Sequence, residues 1–298
     1  MTRRLVTYAW IATGLSVAVI AGGAIVRATG SGAGCGSHWP QCNGSVVPEG
    51  TTESIIEFTH RLTSGLAFLA AIWLFMLARR VDVVRVRRAA GAALLFMVGE
   101  VAIGAALVLG EWVGDDASVA RAVIDGFHLV NTLFLLAALA LTAWWAGGGP
   151  PIRLRRQSSE GRLLVWGLGA LLVVAAAGAL TALGDTLFPD ASITDDLSSG
   201  SHFLVRLRVL HPILAVATAV YLVVVTRRLA ANRRGFQGSL ALLVGSIVGF
   251  QVIVGIVNLA LGAPVWMQVV HVVVTDALWI SAVVLTAAEL AVERVPAA

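Results

Sequence analysis

Along this chain, long apolar runs alternate with short polar stretches. The runs fall at about 5–27, 56–78, 89–110, 121–146, 162–183, 204–226, 237–262 and 266–291. A membrane-spanning helix needs about 20 predominantly apolar residues, so the pattern predicts eight spanning helices. The first run is about 22 residues long, beyond the apolar core of roughly 7–15 residues in a signal peptide. It is expected to be a retained helix.

The polar stretches have opposite character on the two sides. Arg3 and Arg4 precede the first run. Arg79, Arg80, Arg85, Arg87 and Arg88 follow the second, Arg153, Arg155 and Arg156 the fourth, and Arg227, Arg228, Arg233 and Arg234 the sixth. The intervening loops are acidic, with Glu49 and Glu53, then Glu111, Asp115 and Asp116, then Asp185, Asp190, Asp195 and Asp196. Basic loops stay in the cytoplasm, so both termini are predicted there.

Composition agrees. The 298 residues are 58% hydrophobic and 13% charged, with a mean hydropathy of +0.88; soluble domains average roughly 45–50% apolar and about 25% charged. A disordered chain, a coiled coil, a nucleic-acid-binding domain and most soluble enzymes are excluded. The net charge of +4 comes from 21 basic residues, all Arg, and 16 of them flank the cytoplasmic ends. It reports topology, not a nucleic-acid partner.

The two halves resemble each other. Glu100-Val-Ala-Ile-Gly104 matches Gln251-Val-Ile-Val-Gly255. His128, with Thr142 fourteen residues on, matches His271, with Thr286 fifteen on, and His60 matches His211. Pro150-Pro151 and its Arg cluster form the natural linker. The expected fold is an all-α integral membrane protein of eight transmembrane helices, arranged as two pseudo-symmetric four-helix bundles. Residues 1–146 form the first, 147–161 the linker and 162–298 the second. Both halves share one topology, so the repeat is parallel.

Of six His, His38 and His202 lie in or beside outer loops. His60, His128, His211 and His271 lie in spans two, four, six and eight, about four to seven residues from the outer end, or roughly 6–11 Å deep at 1.5 Å per residue. An ionisable side chain inside a span is costly and points to function. A single such His is as readily a helix–helix hydrogen bond; four at one depth, two per half, favour metal or heme ligation. Zinc asks for about four ligands, whereas heme iron needs two axial ones. Helical bundles build such sites from facing helices.

The residue three before each His shares its helix face. These are Glu57 and Asp125 in the first half, Arg208 and Gln268 in the second. A carboxylate beside heme can act as general base or steady a developing cation; an Arg pairs more naturally with a propionate. Chemistry is therefore expected in the first half and a permanent cofactor in the second. Glu57 and Asp125 can also be read as first-turn residues favoured by the helix dipole. Arg27, Arg61, Arg121, Arg206 and Arg208 sit near outer ends, as propionate partners or as snorkelling side chains. Glu100 and Asp276 lie mid-span, and buried, neutral, hydrogen-bonded carboxyls are expected there rather than a proton route.

The two cysteines, Cys35 and Cys42, stand in the first outer loop, where disulfides persist. Their spacing is neither a CxxC redox motif nor a zinc pattern. A disulfide closing this loop would contribute roughly 2–3 kcal/mol by chain entropy, as a structural staple or as a redox-active pair.

Together these features resemble the heme A synthase family over nearly the whole chain. The carriers are Gly22-Gly-Ala-Ile-Val-Arg27 leading to Gly30-Ser-Gly32; Cys35 through Trp39-Pro40 to Cys42; Glu57-Phe-Thr-His60-Arg61 with Gly65; His128-Leu-Val-Asn131; His211; and His271. The resemblance implies an oxidoreductase that oxidises a methyl group of heme O to a formyl group through hydroxylated intermediates, making heme A for terminal oxidases. It implies substrate heme O between His60 and His128, with Arg61 and Arg121 beside it, and heme b iron between His211 and His271, with Arg208 beside it. Glu57 would be the catalytic acid and Cys35–Cys42 a disulfide. Many relatives carry a second Cys pair in the later half, whereas here the loop at about 184–203 has none.

The expected location is the cell membrane, multi-pass, in contact with lipid. Expected partners are the enzyme that makes heme O and an electron carrier, with a homo-oligomer left open. The rival readings are a di-heme b electron-transfer cytochrome without substrate heme, and a transporter. Transporters usually break their helices near mid-membrane, and among the spans Pro is nearly confined to Pro212.

Overall fold

The computed structural model describes residues 2–48, 50–153, 157–191 and 193–291. Glu49, Arg155 and Arg156, assigned above to loops, lie outside them. The described residues form helices α1 (Thr2–Ala28), α2 (Thr52–Ala78), α3 (Val84–Leu109), α4 (Val119–Ala146), α5 (Ser159–Leu187), α6 (Ile193–Asp196), α7 (Phe203–Leu207), α8 (Leu210–Asn232), α9 (Phe236–Ala260) and α10 (Val265–Leu290). Eight spans are long and apolar enough to cross a membrane, with α7 and α8 together making the sixth. The chain is an all-helical, multi-pass membrane protein.

The helices begin earlier than the apolar runs, and polar caps start three of them. Thr51, Ser118 and Ser158 accept the backbone N–H of Ser54, Arg121 and Gly161, filling otherwise orphaned donors of the first turn. The sixth span is not continuous as expected: it is interrupted at Arg208–Val209. Pro212 has no N–H to give the Arg208 carbonyl four residues back, and its ring crowds that carbonyl. The break places a joint immediately before His211.

In packing, α1 meets α2 and α4, α2 meets α3, and α3 meets α4; likewise α5 meets α8, α8 meets α9, α9 meets α10, and α10 meets α5. The first set buries a core around Leu5, Leu74, Met97 and Leu139, the second one around Leu164, Leu222, Val244 and Leu285. The sets join along α1 and α4 against α5 and α10. Leu133, Leu136, Ala175, Trp279 and Val283 fill that seam, and Trp279 Nε1 donates to the Leu133 carbonyl at 2.6 Å. Arg27 crosses the seam from α1. It donates to the Ala182 carbonyl at 2.6 Å, to Thr186 Oγ1 at 3.0 Å and to Gln268 Oε1 at 2.7 Å. At the opposite end, Glu289 accepts from Arg233 at 2.7 Å and from Ser158 at 2.9 Å.

Candidate functional site

His60, His128, His211 and His271 lie six to nine residues past the first residue of spans two, four, six and eight. At 1.5 Å per residue they share a layer roughly 9–14 Å from one end of the helices. This is somewhat deeper than the apolar runs suggested, because the capped helices start sooner.

Three of the four rings rest on glycine. A β-carbon added at Gly23 would stand 3.2 Å from His60 Cε1, one at Gly178 2.9 Å from His211 Cε1, and one at Gly255 3.3 Å from His271 Cε1. Any side chain there would push on the imidazole. Gly22-Gly23 on α1 and Gly178 on α5 thus seat a His from the following span. The sequence signal was available: small residues facing a His at matching places in both halves.

His211 and His271 face each other with ring centroids 6.2 Å apart and planes 76° apart. The backbone carbonyl of Val174 lies 3.0 Å from His211 Nδ1. Gln251 Nε2 lies 3.2 Å and 3.1 Å from Nδ1 and Nε2 of His271. His60 Nδ1 is buried with no hydrogen-bond partner among the described residues. His128 Nδ1 is 3.2 Å from Glu100 Oε2, close enough for an ion pair but not aligned as a hydrogen bond.

The carboxylates expected beside these His are turned elsewhere. Glu57, only 3% exposed, accepts the Cys35 backbone N–H at 2.8 Å on Oε2. Its Oε1 accepts Arg61 Nε at 3.1 Å and Nη2 at 2.5 Å. Asp125 faces Arg121 at 3.7 Å. Both are four residues from their Arg along one helix, a spacing at which side chains meet, and a guanidinium holds a carboxylate by a charge-assisted, forked contact. Gln268 binds Arg27 instead of His271. The partners of His128 and His271 come from the neighbouring helices, as Glu100 of α3 and Gln251 of α9. The repeat placed those two residues in register, but only packing shows that they touch the His.

The outer arginines are clamps. Arg61 Nη1 donates to the carbonyls of His38 at 2.7 Å and Gln41 at 2.6 Å, and Arg121 Nη1 to those of Gly114 at 2.6 Å and Asp116 at 2.8 Å. Arg208 lies 3.1 Å from Asp185 and 3.4 Å from Asp196. Arg206 is exposed. Cys35 and Cys42 form a disulfide, and both are fully buried. Its loop presses on the start of α2, where Ser54 Oγ donates to the Gly34 carbonyl at 2.5 Å. A β-carbon at Gly34 would fall 2.5 Å from the Glu53 backbone, so this contact requires glycine.

Glu100 is hydrogen-bonded as expected, by Asn131 at 2.5 Å and Thr132 at 2.9 Å. Asp276 is not. It is 2% exposed, and its Oδ2 has no partner among the described residues.

A family model described as COX15-CtaA, cytochrome oxidase assembly protein, matches residues 6–283. A Thermus thermophilus protein named protoheme IX farnesyltransferase is 51% identical over 300 residues, covering 96% of this chain and 48% of that relative. A heme A synthase of Lysinibacillus sphaericus is 40% identical over 106 residues, 34% of each chain. One of Geobacillus kaustophilus is 43% identical over 106 residues, 34% of this chain and 33% of its own length. The chain therefore spans about half the length of the Thermus relative and aligns with the two synthases over about a third. It belongs to the COX15-CtaA family.

Proposed function

We propose that this member of the COX15-CtaA family is a heme A synthase, oxidising a methyl group of heme O to a formyl group. The observation that carries the reading is the placement of four intramembrane His at one level, two of which, His211 and His271, face each other. Metal–imidazole bonds of about 2.0–2.1 Å on either side of one ion put ring centroids roughly 6 Å apart. His211 and His271 stand 6.2 Å apart. Among the described residues no group of three or more His, Cys, Asp or Glu is placed to hold a metal ion, and heme iron asks for two axial ligands.

On this reading the helices form two pseudo-symmetric four-helix bundles, 1–146 and 162–298, with both termini in the cytoplasm and the His layer near the outer face of the cell membrane. Substrate heme O lies between His60 and His128, and heme b between His211 and His271. When bound, heme b supplies one-electron transfer between the substrate site and an electron carrier. Each hydroxylation takes its oxygen from water and releases two protons and two electrons, the electrons passing to the carrier; the substrate methyl becomes an alcohol, then a gem-diol that loses water to leave the formyl group.

Of the roughly four lone-pair positions on the Glu57 carboxylate, three are taken by Cys35 and Arg61. The remaining one can accept a proton from attacking water or face a developing positive charge. Arg61 and Arg121 hold the outer loops over the substrate layer, and Arg208 does so in the second half. The Thermus relative, matched over 48% of its length, is named protoheme IX farnesyltransferase, which makes a heme-farnesylating enzyme a natural partner.

A di-heme electron-transfer cytochrome is favoured by one observation: Glu57 and Asp125 are engaged by Arg61 and Arg121, as purely structural carboxylates would be. Chromatography of pigments extracted from purified wild type and Glu57→Gln decides. Synthase activity predicts heme b with heme O or A in wild type, and retained heme without heme A in the variant. Heme b alone in wild type supports the cytochrome. Normal heme A in Glu57→Gln removes Glu57 from the chemistry.

A further inference from the structure

The two His contributed by spans four and eight have chemically different partners. Glu100 Oε2 lies 3.2 Å from His128 Nδ1, and Gln251 Nε2 lies 3.2 Å from Nδ1 and 3.1 Å from Nε2 of His271. Glu100 and Gln251 occupy the same place in the repeated pentapeptide, one helix before their His. One half therefore sets a carboxylate against its imidazole where the other sets a neutral amide.

The carboxylate is held in place. Asn131 Nδ2 donates to Glu100 Oε1 and also to the Phe96 carbonyl at 2.8 Å, bridging α4 to α3. Thr132 Oγ1 donates to Oε2. Gly99 makes room for this bridge, since a β-carbon there would fall 2.8 Å from Asn131 Oδ1. On the other side, Gln251 Nε2 is shared among the His271 ring, the His271 carbonyl and Thr275. Its buried Oε1 has no partner among the described residues. Turning that amide over would offer Oε1 to a ring N–H.

A His that ligates iron through Nε2 presents Nδ1–H to an outer partner, which fixes the ring and tunes its electron donation. A carboxylate partner gives the imidazole more anionic character than an amide does, and so favours the ferric state. We infer that Glu100 is a positioning residue for His128, one that makes the iron bound there easier to oxidise than the iron between His211 and His271. This rests on the heme assignment above. It goes beyond that assignment by giving the two irons an order of potential and naming the residue pair that sets it.

The test is a redox titration of the heme-loaded protein, followed by its visible spectrum and by electron paramagnetic resonance. His211→Ala assigns the signals by removing one of them. Glu100→Gln installs the second half's own solution and is expected to raise the ferrous-to-ferric ratio of the first-half iron about tenfold at fixed potential, a shift of about 59 mV for one electron. Gln251→Glu is the reciprocal change and should lower the other iron's potential, leaving the first unmoved. It also stands alone should Glu100→Gln fold poorly. Both hemes present with neither potential moved overturns the inference. A wild type without two separable bis-His signals overturns the heme assignment instead.

Discussion

The layer around His60 and His128 and the layer around His211 and His271 lie in helix sets whose neighbours follow the same order along the chain, but they place their charges in opposite ways. In the first, carboxylates ride on the His-bearing helices and are met by Arg61 and Arg121 from the same helix. In the second, the His-bearing span carries the cation, Arg208, and the carboxylates Asp185 and Asp196 come to it from elsewhere. The loop between α1 and α2 is stapled by Cys35–Cys42 and tied through Glu57. The second half has no cysteine, and its sixth span breaks just before His211. The difference shows what a repeat constrains. The His and their depth repeat, as the proposed ligand pairs would require, while the groups around them differ.

The comparison breaks most directly if the two layers are not independent sites. His211→Ala is expected to lower the low-spin heme band of purified protein at least tenfold in the second half, while His60→Ala leaves that band in place. Loss of all heme in His60→Ala would show one shared site. A smaller effect is expected from Gly178→Val, which drives a side chain into His211. The second-half low-spin heme band should fall severalfold, and an unchanged band would mean that His211 does not need its glycine seat.

The Cys35–Cys42 disulfide sharpens the contrast between the outer loops. Cys42→Ser should cost roughly 2–3 kcal/mol by chain entropy, visible as a lower melting temperature, with the second-half heme spectrum unaltered. Arg27→Gln tests the seam. Leaving Gln268 and the Ala182 carbonyl without their charged donor should cost roughly 1–3 kcal/mol, and thermal melts followed separately at each heme should then part company. The smallest effect is that of Ser118→Ala, which removes a helix cap at about 1 kcal/mol and should register only in stability of the first half.

Much of this was legible in the residues. Eight spans follow from the length of the apolar runs, since a bilayer leaves a backbone no partner but itself. The His layer follows from counting residues into each span. The disulfide partners were settled by there being only two cysteines. What misled was the i−3 spacing of Glu57 and Asp125 from their His. Face-sharing along a helix is symmetrical, and it brought each carboxylate equally close to an Arg four residues away. Charge decided the contest in favour of the Arg.

The sequence by itself determined the membrane class, the number of spans, the family and the four His, because each is written in local periodicity or in a motif. Only the tertiary structure decided who stands next to whom between helices. It put Glu100 at His128 and Gln251 at His271, seated three imidazoles on glycines, sent Arg27 across the seam, and left Asp276 buried with an unpartnered oxygen. Such contacts depend on the rotation and depth of one helix against another. These are fixed by the packing of the whole interface, and no single segment carries that information.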